Sequence, residues 1–420
     1  MNAPGDSHLP SAAAPADPAS PGEPTSCHVP GAGGGGLRRL LRYFLVLGST
    51  GFGGPIATVG YMQRDLVESR GWVDREDFLN GVALGQTMPG PLAAQVSMWV
   101  GFLQRGPLGA LAVAAAFIAP SFLFVLAVAV LYAHLSGLPI VQAVFYGVAP
   151  GVMAIIAIAA YKLAKLTNRR DLRLWSISAA LAVVTAVTGA EIAVLFIAAG
   201  LLMIVIDAPP ALLRRPFRAS SAMLPLVWLP RAPLRRGLAA APLGALAGSG
   251  TLLALGLFFL KTGAFTFGSG LAIVPFLREG VVVQHHWLTN REFLDAVAMG
   301  LITPGPVVIT ATFIGYLTAG LAGAIVATAA IFLPIYLGVV LPGRWFVRHK
   351  DNAQVKAFVK GATAAAAGAL TGATVVLTRQ VVIDFPTALI AGVSLAVLLR
   401  FKLKEPYLVL ACAVAGIALH

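Results

Sequence analysis

Apolar runs of 18 or more residues recur along nearly the whole chain after residue 40. About 20 such residues cross a bilayer as a helix, so membrane spans must account for most of the mass. Of the 420 residues 58% are hydrophobic and only 11% charged, whereas soluble proteins average about half and a quarter. A soluble domain is excluded, and the expected fold class is an all-α polytopic membrane protein.

The formal charge of +13 would point to nucleic acid in a soluble chain. Here Lys and Arg cluster in the short connections between apolar runs, as cytoplasmic membrane loops do; a positive potential that attracts anions is a second, compatible reading. Cys27 lies in a polar tail and Cys412 in an apolar run, so neither a disulfide framework nor a cysteine metal site is indicated. Residues 1–36 are rich in Ala, Pro, Gly and Ser and hold no Lys or Arg. They lack the basic start and apolar core of a signal peptide and are expected to form a disordered tail.

The first apolar stretch, about 40–62, follows Arg38, Arg39 and Arg42 and is interrupted by Gly51-Phe52-Gly53-Gly54-Pro55, which is incompatible with a continuous helix. A charged stretch around Trp72 suits a membrane interface. The next apolar stretch, 78–103, is broken at Pro89-Gly90-Pro91, and runs near 108–134, 138–161, 174–189 and 191–207 follow. They read as helices, with kinks expected at Pro120 and Pro150.

Residues 208–243 bring six Arg and many prolines, after which the pattern begins again. Phe52-Gly53 returns as Phe267-Gly268, Trp72 as Trp287, Phe78 as Phe293, Gly85 as Gly300 and Pro89-Gly90-Pro91 as Pro304-Gly305-Pro306, each 215 residues on. One residue is then lost, and Gly101 meets Gly315 and Pro120 meets Pro334. Such register is the mark of an internal repeat. The expected organisation is a tail over 1–36, a first transporter repeat over 37–207, a basic Pro-rich linker over 208–243 and a second repeat over 244–420.

Basic loops fall out of step between the copies. The span after Pro120 ends without Lys or Arg and the next ends in Lys162, Lys165, Arg169, Arg170 and Arg173, whereas the span after Pro334 itself ends in Arg344, Arg348 and Lys350. If these mark the cytoplasmic side, the two repeats have inverted topology, a transporter arrangement with substrate held where broken helices meet. Inversion needs an odd number of crossings before the second copy, and the first half counts six. Either 222–260 hides a further crossing or one broken segment is re-entrant.

A helix N-terminus offers unpaired N–H groups and partial positive charge to an oxyanion, and non-helical backbone at membrane depth must be buried in protein or line a watery cavity. Four breaks imply a shared cavity. The candidate substrate site joins Phe52, Gly53, Gly54 and Pro55 with Pro89, Gly90 and Pro91, with Phe267, Gly268, Ser269 and Gly270, and with Pro304, Gly305 and Pro306. Gln86, Thr87, Gln95, Thr303 and Thr310 are nearby polar groups. The alternative is that these Gly and Pro serve only kinks and close packing. Lys261 follows Leu257-Phe258-Phe259-Leu260 and is a coupling candidate unless it snorkels from a span end. Glu76 is another, unless it and Asp77 merely start a helix at its positive end. His285 and His286 beside Trp287 are too few for a metal site. No nucleotide loop, zinc-protease helix or nucleophile elbow is present, so an enzyme or ATP-driven pump is not expected.

Phe52-Gly53-Gly54-Pro55, Trp72, Glu76, Phe78, Gln86, Pro89-Gly90-Pro91, Gln95 and Gly101, with the second set Phe267-Gly268-Ser269-Gly270, Trp287, Phe293 and Pro304-Gly305-Pro306, resemble the chromate transporter family in its long two-domain form. The likeness covers about 38–205 and 252–418. Thr58 stands where many members carry a His. The resemblance implies a secondary transporter that exports chromate across the cytoplasmic membrane, driven by the ion gradient and conferring chromate resistance, with sulfate as a competing look-alike. Partners would be the bilayer and the oxyanion, with no cofactor or nucleic acid; a homodimer is left open. The other readings are a transporter of sulfate or another anion, and a non-transporting membrane scaffold or sensor.

Overall fold

The computed structural model describes residues 36–51, 54–135, 138–188, 193–209, 247–266, 270–343, 352–401 and 405–419. Most of the expected tail and linker lie outside these residues, as do Phe52, Gly53, Phe267, Gly268, Ser269, Arg344, Arg348 and Lys350. Among the described residues every regular element is helical. The first half holds α1 (Gly36–Thr50), α2 (Gly54–Met62) continued by a π-helical turn Gln63–Ser69, α3 (Arg75–Thr87), α4 (Leu92–Leu135), α5 (Pro139–Asn168), α6 (Leu172–Thr188) and α7 (Ala193–Asp207). The second half holds α8 (Ala247–Ala264), a 3-10 turn Gly270–Ile273 leading into α9 (Val274–Arg278) and a π-helical turn Glu279–Gln284, then α10 (Asn290–Ile302). It ends with a 3-10 turn Val307–Ile309 leading into α11 (Thr310–Val340), and with α12 (Ala353–Val381), α13 (Phe385–Arg400) and α14 (Glu405–Leu419). The segments Leu92–Leu135, Pro139–Asn168, Val307–Val340 and Ala353–Val381 are long and apolar enough to cross a membrane. The chain is a multi-pass membrane protein.

The two halves carry the same elements in the same order. α3 and α10 each have 13 residues and begin 215 apart, and each half holds a π-helical turn. α4 and α11 leave helical geometry at matching points, Arg105 (φ −145°) with Gly106 (φ +59°), and Ala319 (φ −148°) with Gly320 (φ +62°). These are chain reversals rather than bends. A Cβ on Gly101 would lie 2.8 Å from the Gly109 carbonyl carbon, and one on Gly315 2.8 Å from that of Gly323, although eight residues of straight helix span about 12 Å. Glycine is required at both corners, because the left-handed backbone admits it without strain. Helical φ/ψ continue through Pro120 and Pro150.

The broken stretches are hairpins. In the first, Tyr43 of α1 reaches back to the Tyr61 carbonyl and to Asp65. In the next, Trp99 Nε1 donates to the Asp77 carbonyl at 2.8 Å, and Gly81 packs against the same indole. Residue pairs so centred on 52–54 and on 88–90 mean that α1 with α2, and α3 with the first part of α4, run antiparallel. The second half repeats this: Phe258 of α8 packs on Gly280, His285 and Trp287, and Gly300 of α10 on Thr310.

The long segments that follow the hairpins cross the molecule antiparallel to each other. Tyr336 near the end of α11 donates to the Pro107 carbonyl at the start of the second part of α4, and Tyr132 near the end of α4 donates to Asp295 midway along α10. α6 and α7 pack on α12 of the other half, and α13 and α14 on α5. Small residues permit the close approach, as in other membrane bundles. Gly361 faces the Ala199 carbonyl, Gly368 that of Ser178, and Gly147 meets Gly416 backbone to backbone. α5 and α12 are the more enclosed of the long helices.

Candidate anion site

α3 ends because Pro89 has no N–H to continue it and drives Met88 to extended geometry (φ −90°, ψ 150°). Gly90 then turns the chain at φ +142°, and Pro91 leads into α4. Gln95, fully buried in the first turn of α4, donates Nε2 to the Met88 and Pro89 carbonyls at 3.2 and 2.9 Å. Its Oε1 is buried without a hydrogen-bond partner, an acceptor that a water or a protonated oxyanion would satisfy. The Gly90 N–H is taken by the Thr266 carbonyl at 2.5 Å.

The second Pro-Gly-Pro is built alike. α10 ends at Thr303 (φ −71°, ψ 132°), whose Oγ1 donates to the Met299 carbonyl at 2.6 Å, and Gly305 turns at φ +110°. The partner here comes from the other half: Ser121 Oγ, fully buried, donates to the Pro304 carbonyl at 2.6 Å and lies 3.5 Å from that of Gly48. Thr310, the residue 215 after Gln95, donates to the Val307 carbonyl at 2.8 Å. Ile335, next to Pro334 as Ser121 is next to Pro120, packs on Gly90.

The tips of the hairpins therefore meet. Gly90 bonds to Thr266, Gly270 abuts Val307 and Pro91, and Gly305 lies against Ser121 and Gly48. Gly54 and Pro55 begin α2 at the tip after Gly51; their side-chain environment, and all of Phe52, Gly53, Phe267, Gly268 and Ser269, lie outside the description. α2, α4 and the 3-10 turns at Gly270 and Val307 all start at tips, so each tip carries first-turn N–H groups with partial positive charge, and those at Gly270, Val307 and Pro91 adjoin. Opposing carbonyls at these tips are occupied by Gln95, Ser121 and the Gly90 N–H.

Other expected residues sit elsewhere. Gln86 is exposed on α3 and Thr87 bonds back to the Ala83 carbonyl. Glu76 lies exposed in the first turn of α3, where Asp74 caps the helix by accepting from the Glu76 N–H at 2.7 Å. That turn is about 20 Å of helix from the tip. Lys261 is exposed in the last turn of α8 beside Leu260 and in line with Leu257 and Leu253, on the outer surface of the bundle. His285 stacks on Trp287 with centroids 4.3 Å apart. Sequence reasoning missed Ser121, Thr266, Ile335 and the buried pair Tyr132 and Asp295. The matched prolines 120 and 334 carried a signal for Ser121 and Ile335; nothing local marks the others.

An all-helical multi-pass bundle with paired hairpins whose tips meet inside it defines a membrane protein of the transport class. The chromate transporter family model matches residues 38–205 and 253–417. The chain belongs to the chromate transporter family, a family of transporters rather than enzymes. It is 49% identical to a chromate transport protein of Cupriavidus metallidurans over 91% of this chain and 93% of that protein. It is 47% identical to a probable chromate transport protein of Synechococcus elongatus over 91% and 95%, and 30% identical to a chromate transport protein of Pseudomonas aeruginosa over 90% and 91%. No solved structure matches the chain.

Proposed function

We propose that the protein is a secondary transporter that exports chromate across the cytoplasmic membrane and so confers chromate resistance. The observation that carries this reading is the junction of hairpin tips, where Gly90 meets Thr266 and Gly305 meets Ser121 and Gly48. A tetrahedral dianion at that junction would take hydrogen bonds from first-turn N–H groups of both halves. Chromate as the ion rests on the relatives named above.

The two halves act as inverted copies, domains 37–207 and 244–420 joined by the segment between them. Support comes from the antiparallel second parts of α4 and α11, and from the approach of Tyr132, at the far end of α4, to Asp295 midway along α10. Each half then sends its hairpins in from its own side. Lys162 and Lys165 in the last turns of α5, Arg169 and Arg170 in the corner after it and Arg173 at the start of α6 lie level with the feet of the first half's hairpins, which makes that side cytoplasmic. Re-entrant hairpins leave α4 to α7 as four crossings in the first half, so inversion requires the chain to change sides between α7 and α8. Rocking of one half on the other, with Ser121 and Ile335 sliding on the opposite tips, opens the junction to each side in turn.

The test is uptake of labelled chromate into inverted membrane vesicles under an imposed ion gradient, with and without excess sulfate. Gradient-dependent accumulation reduced by sulfate is expected. No accumulation, with the protein present in the membrane, removes chromate as the substrate and leaves the architecture standing.

A further inference from the structure

Asp295 is only 2% exposed, six residues into α10. Its Oδ2 accepts a 2.7 Å hydrogen bond from the Tyr132 hydroxyl of α4, and the Tyr132 ring is enclosed by Phe145 and Phe313. Among the described residues no cation lies within ion-pair distance of it. Tyr132, Arg291 and Glu292 are the groups whose charge or hydrogen bond reaches it. Arg291 is exposed and bonds to the Gln142 carbonyl, and Glu292 is tied to Thr289. Of the other elements packed on α10, α5 carries Tyr146, which bonds to Asp384, and α11 carries Tyr316 and Tyr336. α14 carries Glu405, Tyr407 and Cys412, and α9 with its π turn carries Arg278 and Glu279. None of these bonds to Asp295. A buried carboxylate without a cation is expensive, and a carboxyl relieves that cost by exchanging a proton, which is why ionisable groups inside membranes carry function.

The other half offers an internal comparison: the residue 215 before Asp295 is Asn80, 6% exposed at the same place on α3. The matching place on α3 thus carries a neutral amide of the same shape. A purely structural hydrogen bond to Tyr132 needs no ionisable group.

We propose that Asp295, positioned by Tyr132, carries the proton that couples the ion gradient to anion movement. This rests on the transport reading above. The carboxylate takes a proton from water on one side, becoming the acid, and returns it to water on the other. Only that O–H bond is made and broken, and the anion passes chemically unchanged. The carboxyl lies about 14 Å along α10 from the Pro304-Gly305-Pro306 tip, so its charge acts on the site through the seating of α10 against α4.

The experiment compares wild type, Asp295→Asn and Tyr132→Phe in proteoliposomes. It measures labelled chromate accumulation under a pH gradient, chromate counterflow without a gradient, and chromate-dependent proton movement by an internal pH dye. Asp295→Asn is expected to lose gradient-driven accumulation and proton movement at least tenfold while keeping counterflow. Tyr132→Phe is expected to accumulate with a displaced pH profile. Wild-type accumulation and proton movement in Asp295→Asn overturn the proposal, as does loss of its counterflow, which marks Asp295 as a tether only. If wild type itself shows no counterflow, the transport reading fails and this proposal with it.

Discussion

Gly90 and Gly305 are the residues on which the hairpin tips turn, and both are in backbone conformations closed to a side chain. A Cβ on Gly90 would lie 2.9 Å from Gln95 and from Ile335, and forcing such a residue costs about 1–3 kcal/mol. Gly90→Ala and Gly305→Ala should therefore insert but transport at least tenfold less, checked by vesicle uptake normalised to membrane content. Ser121→Ala should lower uptake as well, because it leaves the Pro304 carbonyl without its donor at a buried site. At this scale the sequence was legible where the residue itself is the signal: Pro-Gly-Pro can do little in mid-span but break a helix. Asp295 was not legible, since an Asp after Leu294 acquires meaning only when a helix more than 150 residues away encloses it. Lys261 shows the converse, a suspicious charge in the sequence that folding leaves on an outer surface.

At the scale of elements, the caps hold the hairpin feet and corners. Thr289 and Glu292 form a reciprocal cap on α10, with Glu292 Oε2 accepting from the Thr289 N–H at 2.8 Å and Thr289 Oγ1 from the Glu292 N–H at 3.2 Å. Thr289→Ala should cost about 1 kcal/mol, read as a lower melting temperature in detergent with uptake retained. Asp384 caps α13 in the exposed corner after α12. The Tyr146 hydroxyl, and after it Thr387, hold its carboxyl below the usual Asp range. A depressed folded-state value means that the stabilisation is present above the unfolded Asp range and is lost as pH falls through the folded value. Asp384→Asn should thus melt below wild type at pH 7, with the gap closing on acidification. The helices themselves were plain from their apolar runs, but the hairpins were not. Whether the chain goes on or doubles back is decided after Pro-Gly-Pro by contacts such as Trp99 with Asp77 and at Arg105-Gly106 by that of Gly101 with Gly109, and a run of apolar letters is the same either way.

For the whole molecule, inversion assigns the corners of α4 and α11 to opposite sides of the membrane. Pro107→Cys and Leu321→Cys, matched positions just past the two reversals and both exposed, should label with an impermeant thiol reagent from opposite faces of the vesicle. Labelling from one face would replace inverted copies with parallel ones. The 215-residue register made the recurrence readable without a structure, and the basic loops made the inversion arguable. The crossing count of six took each of the broken stretches 40–62 and 78–103 for one passage through the bilayer, whereas the structure doubles each of them back into a hairpin. Seating of the oxyanion where the tips converge is tested most directly by binding of labelled chromate to purified protein. Wild type is compared with a variant in which Pro89, Gly90 and Pro91 are all Ala and with Thr289→Ala as a control outside the site. Saturable, sulfate-displaceable binding is expected in wild type and control, with its loss in the tip variant at unchanged helical content. Undiminished binding in a folded tip variant would contradict it.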